Sequence, residues 1–337
     1  MSLRMMEIIV PESDLPALNR LLEETSGVDP WSETLDGGRG RVRALLPTGR
    51  TEEVMDLLQQ RFGMHDEFRV MLLAVQATLP KLEEEEPPPK AAEEEKKKER
   101  KIFRVSREEL YETVTGGTKL TGIFLVTVAL STLVAAIGLV RGDVAIIIGA
   151  MVIAPLLGPN VAVALSVTLG DTPLLSKSLR TFTAGIALAL LIAVIFGLLV
   201  NVDPAGSQLA ARTSLGLSDI LLALAAGVAG ALAYTTGLPA ALIGVMVAVA
   251  LLPPLVTAGL MLGAGRPDLA VRATALFTVN VACVNLAGVV TFLFQRVRPA
   301  TWWEGRRAKK ATRWAIVFWA VLLVLLGVLI RFLWNQP

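Results

Sequence analysis

The sequence holds one cysteine and one histidine in 337 residues. A lone cysteine excludes an intramolecular disulfide, and with a single histidine it also excludes a Cys/His zinc cluster. Charge is scarce too, at 18% of residues against roughly a quarter in an ordinary soluble chain. Apolar residues take its place, at 53% of the chain and a mean hydropathy of +0.60. No Asp, Glu, His, Lys or Arg falls at the centre of a long apolar run. That disfavours a proton relay, an intramembrane metalloprotease and rhomboid-like Ser/His chemistry. No Walker, dinucleotide-binding or nucleophile-elbow motif occurs, and residues 1–10 do not read as a cleavable signal. Without a convergent acid, base or nucleophile set, the residues call for no enzyme activity, no cofactor, no metal and no nucleic-acid partner.

The charge that is present is unevenly placed. Residues 1–119 carry 18 Lys/Arg and 24 Asp/Glu, a net of −6, whereas residues 120–337 carry 14 and 6, a net of +8. Two solvents therefore share one chain: a water-soluble first third, then a polytopic membrane domain crossing a hydrocarbon core of roughly 30 Å several times. The expected divisions are a soluble domain over 1–80, a charged linker over 81–105 and an interfacial elbow helix over 106–117. A transmembrane core over 118–295 follows, then a basic loop and peripheral last helix over 296–337.

Within 1–80, β-type runs at 5–10, 28–35, 41–46 and 68–76 alternate with helical patterns at 11–24 and 51–62. The order is βαββαβ, an α+β ferredoxin-like arrangement. It suits either a regulatory module that binds a metabolite or ion, or a packing and oligomerisation domain. His65 reads as a surface turn residue. The stretch KLEEEEPPPKAAEEEKKKERK is a linker, with a basic end placed to meet anionic lipid heads. Ser106-Arg107-Glu108-Glu109 opens the elbow helix as a capping box, and Gly116-Gly117 closes it.

Seven apolar runs follow, at about 119–140, 143–169, 179–200, 217–235, 239–264, 270–294 and 314–334. Nine Lys/Arg between Lys90 and Lys119, Lys177 with Arg180, and seven from Arg296 to Arg313 mark one side. Arg141, Arg212, Arg266, Arg272 and Arg331 mark the other more thinly. The positive-inside rule then puts the N-terminus in the cytoplasm and the C-terminus outside. Trp302, Trp303, Trp314, Trp319 and Trp334 surround the last span, as in a lipid-anchored peripheral helix.

An internal repeat runs through the membrane part at an offset of 95. Ile148-Gly149-Ala150-Met151-Val152 aligns with Ile243-Gly244-Val245-Met246-Val247, and the register holds through Pro159/Pro254, Gly170/Gly265 and Phe182/Phe277. Each copy covers three spans. An odd number makes the second copy enter from the opposite side, so the fold class is mainly α, seven spans in two inverted three-helix repeats plus one. Ala154 to Asn160 in span two and Leu251 to Pro254 in span five place prolines at matching centres, which predicts two interrupted helices facing the protein interior. Pro155, Gly158, Pro159, Asn160, Pro253, Pro254 and Asn280 are the candidate solute-binding residues, with Asp171 as a gate, a cation-attracting mouth or a plain loop residue. Asn285 reads as helix-joining glue, and the small residues of span four as a close-packing face.

The string IIIGAMVIAPLLGPN, the following LSVTLGD and the VALLPPL of span five resemble the prokaryotic membrane-protein family called domain of unknown function 389, as do SREELYETV and the end of span one. The likeness covers about residues 105–295 and implies a multi-pass protein of the cytoplasmic membrane with no stated activity. Asn160 departs from the apolar residue commoner after its Gly-Pro. Two functions are carried forward: a channel or secondary transporter for a small solute or ion, and a non-transporting scaffold or sensor whose soluble domain binds a ligand, lipid or partner. Membrane lipids and a second copy of the chain are the expected partners.

Overall fold

The computed structural model describes residues 3–26, 30–76, 78, 105–214, 216–237, 240–299, 312–321 and 323–324. The linker expected over 81–101, Trp302, Trp303, Trp334 and the end of the seventh apolar run lie outside them. The chain divides into two compact units, Met1–Leu110 and Tyr111–Pro337.

The first unit is built as β1 (Leu3–Pro11), α1 (Leu15–Ser26), β2 (Trp31–Leu35), β3 (Arg39–Pro47), α2 (Thr51–Phe62) and β4 (Arg69–Val75). The four strands form one antiparallel sheet in the order β2-β3-β1-β4. Strand alternation sends Met6, Ile8 and Val10 of β1 to one face with Val42, Ala44 and Leu46 of β3. All six are fully buried beneath Leu18 and Leu22 of α1 and Val54, Leu58 and Phe62 of α2. Glu7 alternates out of this core, where Arg43 donates to its Oε2 at 2.8 Å. The first helix can lie so close to β3 because residue 40 is glycine: a Cβ there would fall 2.3 Å from Leu15 Cγ. His65 sits in the α2–β4 connection, 48% exposed, with Nε2 3.7 Å from Asp14 Oδ2. The start of α3 (Arg107–Gly116) is fixed by Ser106, whose Oγ accepts from Glu109 N at 3.2 Å. Arg4 holds both carboxylate oxygens of Glu109, at 2.8 and 3.1 Å, and Arg107 reaches Asp56 at 2.9 Å. Burial opposes the charge on Arg107, but Glu108 and Asp56 outweigh it and hold its pKa above the ordinary value.

The second unit continues through α4 (Gly122–Arg141), α5 (Val144–Ile153), α6 (Leu157–Leu169), α7 (Thr172–Leu199), α8 (Ser207–Thr213), α9 (Leu217–Thr235), α10 (Ala240–Gly263), α11 (Pro267–Phe294) and α12 (Thr312–Val321). Among the described residues four helices are long and apolar enough to cross a membrane, namely α4, α7, α9 and α11. The pair α5 and α6, bent by 54° at a short break, makes a fifth. The end aspartates start helices. Asp143 Oδ1 accepts from Ala145 N and Ile146 N at the head of α5, and Asp171 Oδ1 accepts from Leu174 N at the head of α7.

Helix limits and turns recur 95 residues apart. The long helices Thr172–Leu199 and Pro267–Phe294 coincide in length and offset. Gly170 and Gly265 both adopt φ 71° and close α6 and α10 in the same way. Gly170 N donates to Val167 O and Asp171 N to Ser166 O; Gly265 N donates to Leu262 O and Arg266 N to Met261 O. The turn after α4 at Gly142 (φ 71°) likewise matches the one after α9 at Gly237 (φ 72°), their N–H groups reaching Leu139 O and Tyr234 O. Packing recurs too. A Cβ on Gly259 of α10 would lie 2.4 Å from Ala193 Cβ of α7, and one on Gly288 of α11 would lie 3.0 Å from Ala164 Cβ of α6. Adding 95 to residues 164 and 193 gives 259 and 288.

Span two is interrupted as the prolines predict, but span five is not: α10 runs unbroken with Pro253 and Pro254 inside it. The break coincides with Pro155, whereas Leu252 and Pro253, each also followed by a proline, stay helical. A proline drives the residue before it out of the helical region, and Ala154 is extended at φ −66°, ψ 119°. The position matching Pro155 is Ala250, which exerts no such force. Adjacent Pro253 and Pro254 remove two successive donors inside a stretch, 251–261, that is buried throughout.

Candidate functional site

The break in span two is built so that its prolines cost little. Pro155 and Leu156 form the turn after α5, and Pro159 is the third residue of α6, where a helix has no internal use for an N–H. Leu156 stands at the N-cap of α6 and offers no side-chain acceptor, so no cap satisfies the N–H groups of the first turn. Beside this end lies a cavity of about 400 Å³. Its walls include Pro155 and Gly158 at the break, Lys119, Thr121 and Phe124 at the start of span one, and Tyr234 at the end of span four. Gly116 and Gly117 complete the wall at the close of α3. The backbones of Gly117 and Gly158 nearly touch, since a Cβ on either would lie 3.2 Å from the other's Cα.

Tyr234 is only 6% exposed, and its hydroxyl has no hydrogen-bond partner among the described residues. Lys119 is exposed and makes no ion pair among them. Among the described residues no acidic side chain lines the cavity.

The structure gathers some of the candidate residues and separates others. Pro155 and Gly158 face the cavity, while Pro159 and Asn160 lie buried behind it. Asn160 is fully buried, and its Oδ1 accepts from Asn285 Nδ2 at 2.6 Å; the same Nδ2 also donates to Val281 O at 2.9 Å. Among the described residues Asn160 Nδ2 and Asn285 Oδ1 have no partner, so the pair joins α6 to α11 with spare polar capacity. Asn280, Pro253 and Pro254 do not line the cavity. Asp171 acts on two elements at once: besides capping α7, its Oδ2 accepts from the Tyr111 hydroxyl at 2.7 Å. Burial first, then this hydrogen bond and the carboxylate charge, push the Tyr111 pKa up to about 12. Thr181 Oγ1 donates to Thr118 O at 2.7 Å, a second tie between α7 and the segment leading into span one. Among the described residues no group of three or more His, Cys, Asp or Glu could hold a metal ion.

This interrupted span begins the region that matches a family model, described as a domain of unknown function (DUF389), over residues 151–286. A curated protein of Methanocaldococcus jannaschii, described as uncharacterized protein MJ0678, is 33% identical over 330 residues, covering 98% of this chain and 99% of its own. The chain belongs to the DUF389 family. No solved structure matches it. The match to the DUF389 model takes in α6 to α10 and most of α11, while the archaeal relative extends the likeness across the first unit as well.

Sequence reasoning about this DUF389 protein missed Lys119 and Tyr234. Lys119 counted only as an orientation charge. Tyr234 is the last residue but one of an apolar helix, and its sole signal is that a hydroxyl stands there, where the residue 95 positions earlier is Leu139.

Proposed function

We propose that this membrane protein is a channel or secondary transporter for a small solute or ion, with its site at the break in span two. The observation that supports it is the recurrence at 95 residues of helix limits, left-handed glycine turns and the Ala193–Gly259 and Ala164–Gly288 contacts. Two copies of an odd-numbered helical unit in one membrane are related by inversion, and interrupted helices in such repeats line solute sites. On this reading seven spans run from a cytoplasmic N-terminus to an external C-terminus in a prokaryotic cytoplasmic membrane, and the protein is a homo-oligomer surrounded by lipid. The sheet order of the first unit fits a ferredoxin-like module that regulates the membrane part or holds copies together.

The test is flux. Full-length protein in proteoliposomes, screened with common ions and small metabolites, should pass at least one of them faster than protein-free vesicles; equality throughout would overturn the reading. A scaffold or sensor without transport is the second reading. It draws on the exposure of Ile123, Val152 and Ile153 at the cavity, which gives that wall an apolar rim suited to lipid.

A further inference from the structure

We propose that the outer face of the four-stranded sheet in the first unit docks on the same face of a second copy of this chain. The inference deepens the homo-oligomer reading above and rests on it, independently of transport. An antiparallel sheet with one solvated face alternates apolar and polar side chains along each strand. Strand β4 does not: it reads Arg-Val-Met-Leu-Leu-Ala-Val, the near-continuous apolar run of a strand covered on both sides. Val70 and Leu72 pack on the core, whereas Met71 and Leu73 alternate to the outer face and are 41% and 52% exposed. Met5 and Leu45 continue the row of Leu73 across the sheet, and Trp31, 56% exposed, shares their face at the opposite edge. Apolar side chains gathered on a sheet face call for a second layer.

The charges select a copy of the same face as that layer. The strand register sets two rows on it, Trp31, Arg43, Glu7 and Met71, then Glu33, Arg41, Ile9 and Arg69, each in the order β2-β3-β1-β4. A two-fold axis parallel to the strands, between β3 and β1, lays each row on its own reverse. Arg43 then meets the partner's Glu7, Trp31 meets the partner's Met71, and Glu33 meets the partner's Arg69. Glu33 is held by Arg41 at 2.7 Å with its side chain still 50% exposed, and Arg69 has no ion pair among the described residues, so this contact extends the existing network of Arg41, Arg43, Glu7 and Glu33. An axis along the first row would instead set Arg43 on Arg43 and Glu7 on Glu7. Strands about 4.8 Å apart, with about seven residues at about 3.3 Å each, give this face roughly 430 Å². Two such faces bury about 900 Å², less than the roughly 1,600 Å² of a standard interface, which suits chains already held together in one membrane.

The experiment uses the full chain in its membrane, in a Cys283→Ala background. Differently tagged Trp31→Cys and Met71→Cys chains are co-expressed and oxidised with copper phenanthroline. The mixed disulfide should form about tenfold more than when Met64→Cys, 94% exposed on the same unit, replaces Met71→Cys. Neither variant alone should cross-link, because like positions lie about 14 Å apart across the paired sheets. Arg69→Glu in both chains should lower the mixed yield about threefold, and adding Glu33→Arg should restore it, a rescue that residues on opposite edges of one sheet cannot make within a chain. A mixed yield at the Met64→Cys level, or one that Arg69→Glu leaves unchanged, overturns the proposal. Cross-linking of Met71→Cys alone overturns it in favour of edge-to-edge pairing of β4. Native mass spectrometry separates the two readings: dimers without the mixed disulfide spare the homo-oligomer and remove this face, whereas monomers alone remove both.

Discussion

Asp171 shows how much a single residue's role depends on a partner that local pattern does not reveal. Its position just after a broken helix was legible as an acid at a helix end, but the acceptor role toward Tyr111 spans sixty residues and needed the fold. The chain has two tyrosines, so in a Tyr234→Phe background ultraviolet absorbance follows Tyr111 alone. Its midpoint should lie near 12 and fall toward the ordinary value in Asp171→Asn; no change would contradict the tie. Because the folded pKa is raised, the stability this hydrogen bond contributes is fully present below about pH 10 and is lost as pH rises through about 12. Asn285 was legible as glue, and its partner Asn160 was not. Replacing Asn285 by Ala removes the one side-chain hydrogen bond that Asn160 accepts, and should cost about 1–2 kcal/mol in a reversible unfolding assay. Replacing both by Leu should cost less than the two single changes added together.

The elements were legible where periodicity and punctuation agree. Helix α2 coincides with the expected 51–62, and β1 and β3 enclose the expected runs. Helix α7 begins at Thr172, not 179, because its polar first turns are amphipathic and bury Leu174 and Ser178, a pattern that an apolar-run criterion discards. The two proline clusters looked equivalent, yet only Pro155 forces its predecessor extended. Pro155→Ala should therefore reduce the 54° bend, read as a changed distance between spin labels on α5 and α6; an unaltered distance would assign the bend to tertiary packing. Glycines separate into two kinds that sequence alone cannot tell apart. Gly149→Ala meets nothing within 4 Å and should stabilise α5 by about 0.5–1 kcal/mol. Gly259→Ala would press on Ala193 at 2.4 Å and should destabilise by about 1–3 kcal/mol in the same unfolding assay.

At the scale of the whole molecule, the long helices, the left-handed turns and two close helix contacts recur at an offset of 95, whereas the break and the uncapped helix end belong to span two alone. The offset of 95 was legible in the glycines and prolines of the sequence, and Gly142 and Gly237, after spans one and four, stand at the same offset with φ 71° and 72°. The cavity was legible only on its span-two side, since Lys119 and Tyr234 line it from segments far apart in the chain. Inversion is the claim on which the pathway depends, and the turns at Gly170 and Gly265 express it most simply: matching turns must face opposite sides of the membrane. Thr172 and Asp268, both exposed beside those turns, can each be changed to Cys in a Cys283→Ala chain and probed in intact cells and inverted vesicles with a membrane-impermeant maleimide. Thr172→Cys should label only in inverted vesicles and Asp268→Cys only in intact cells. Labelling of both from the same side would contradict inverted repeats.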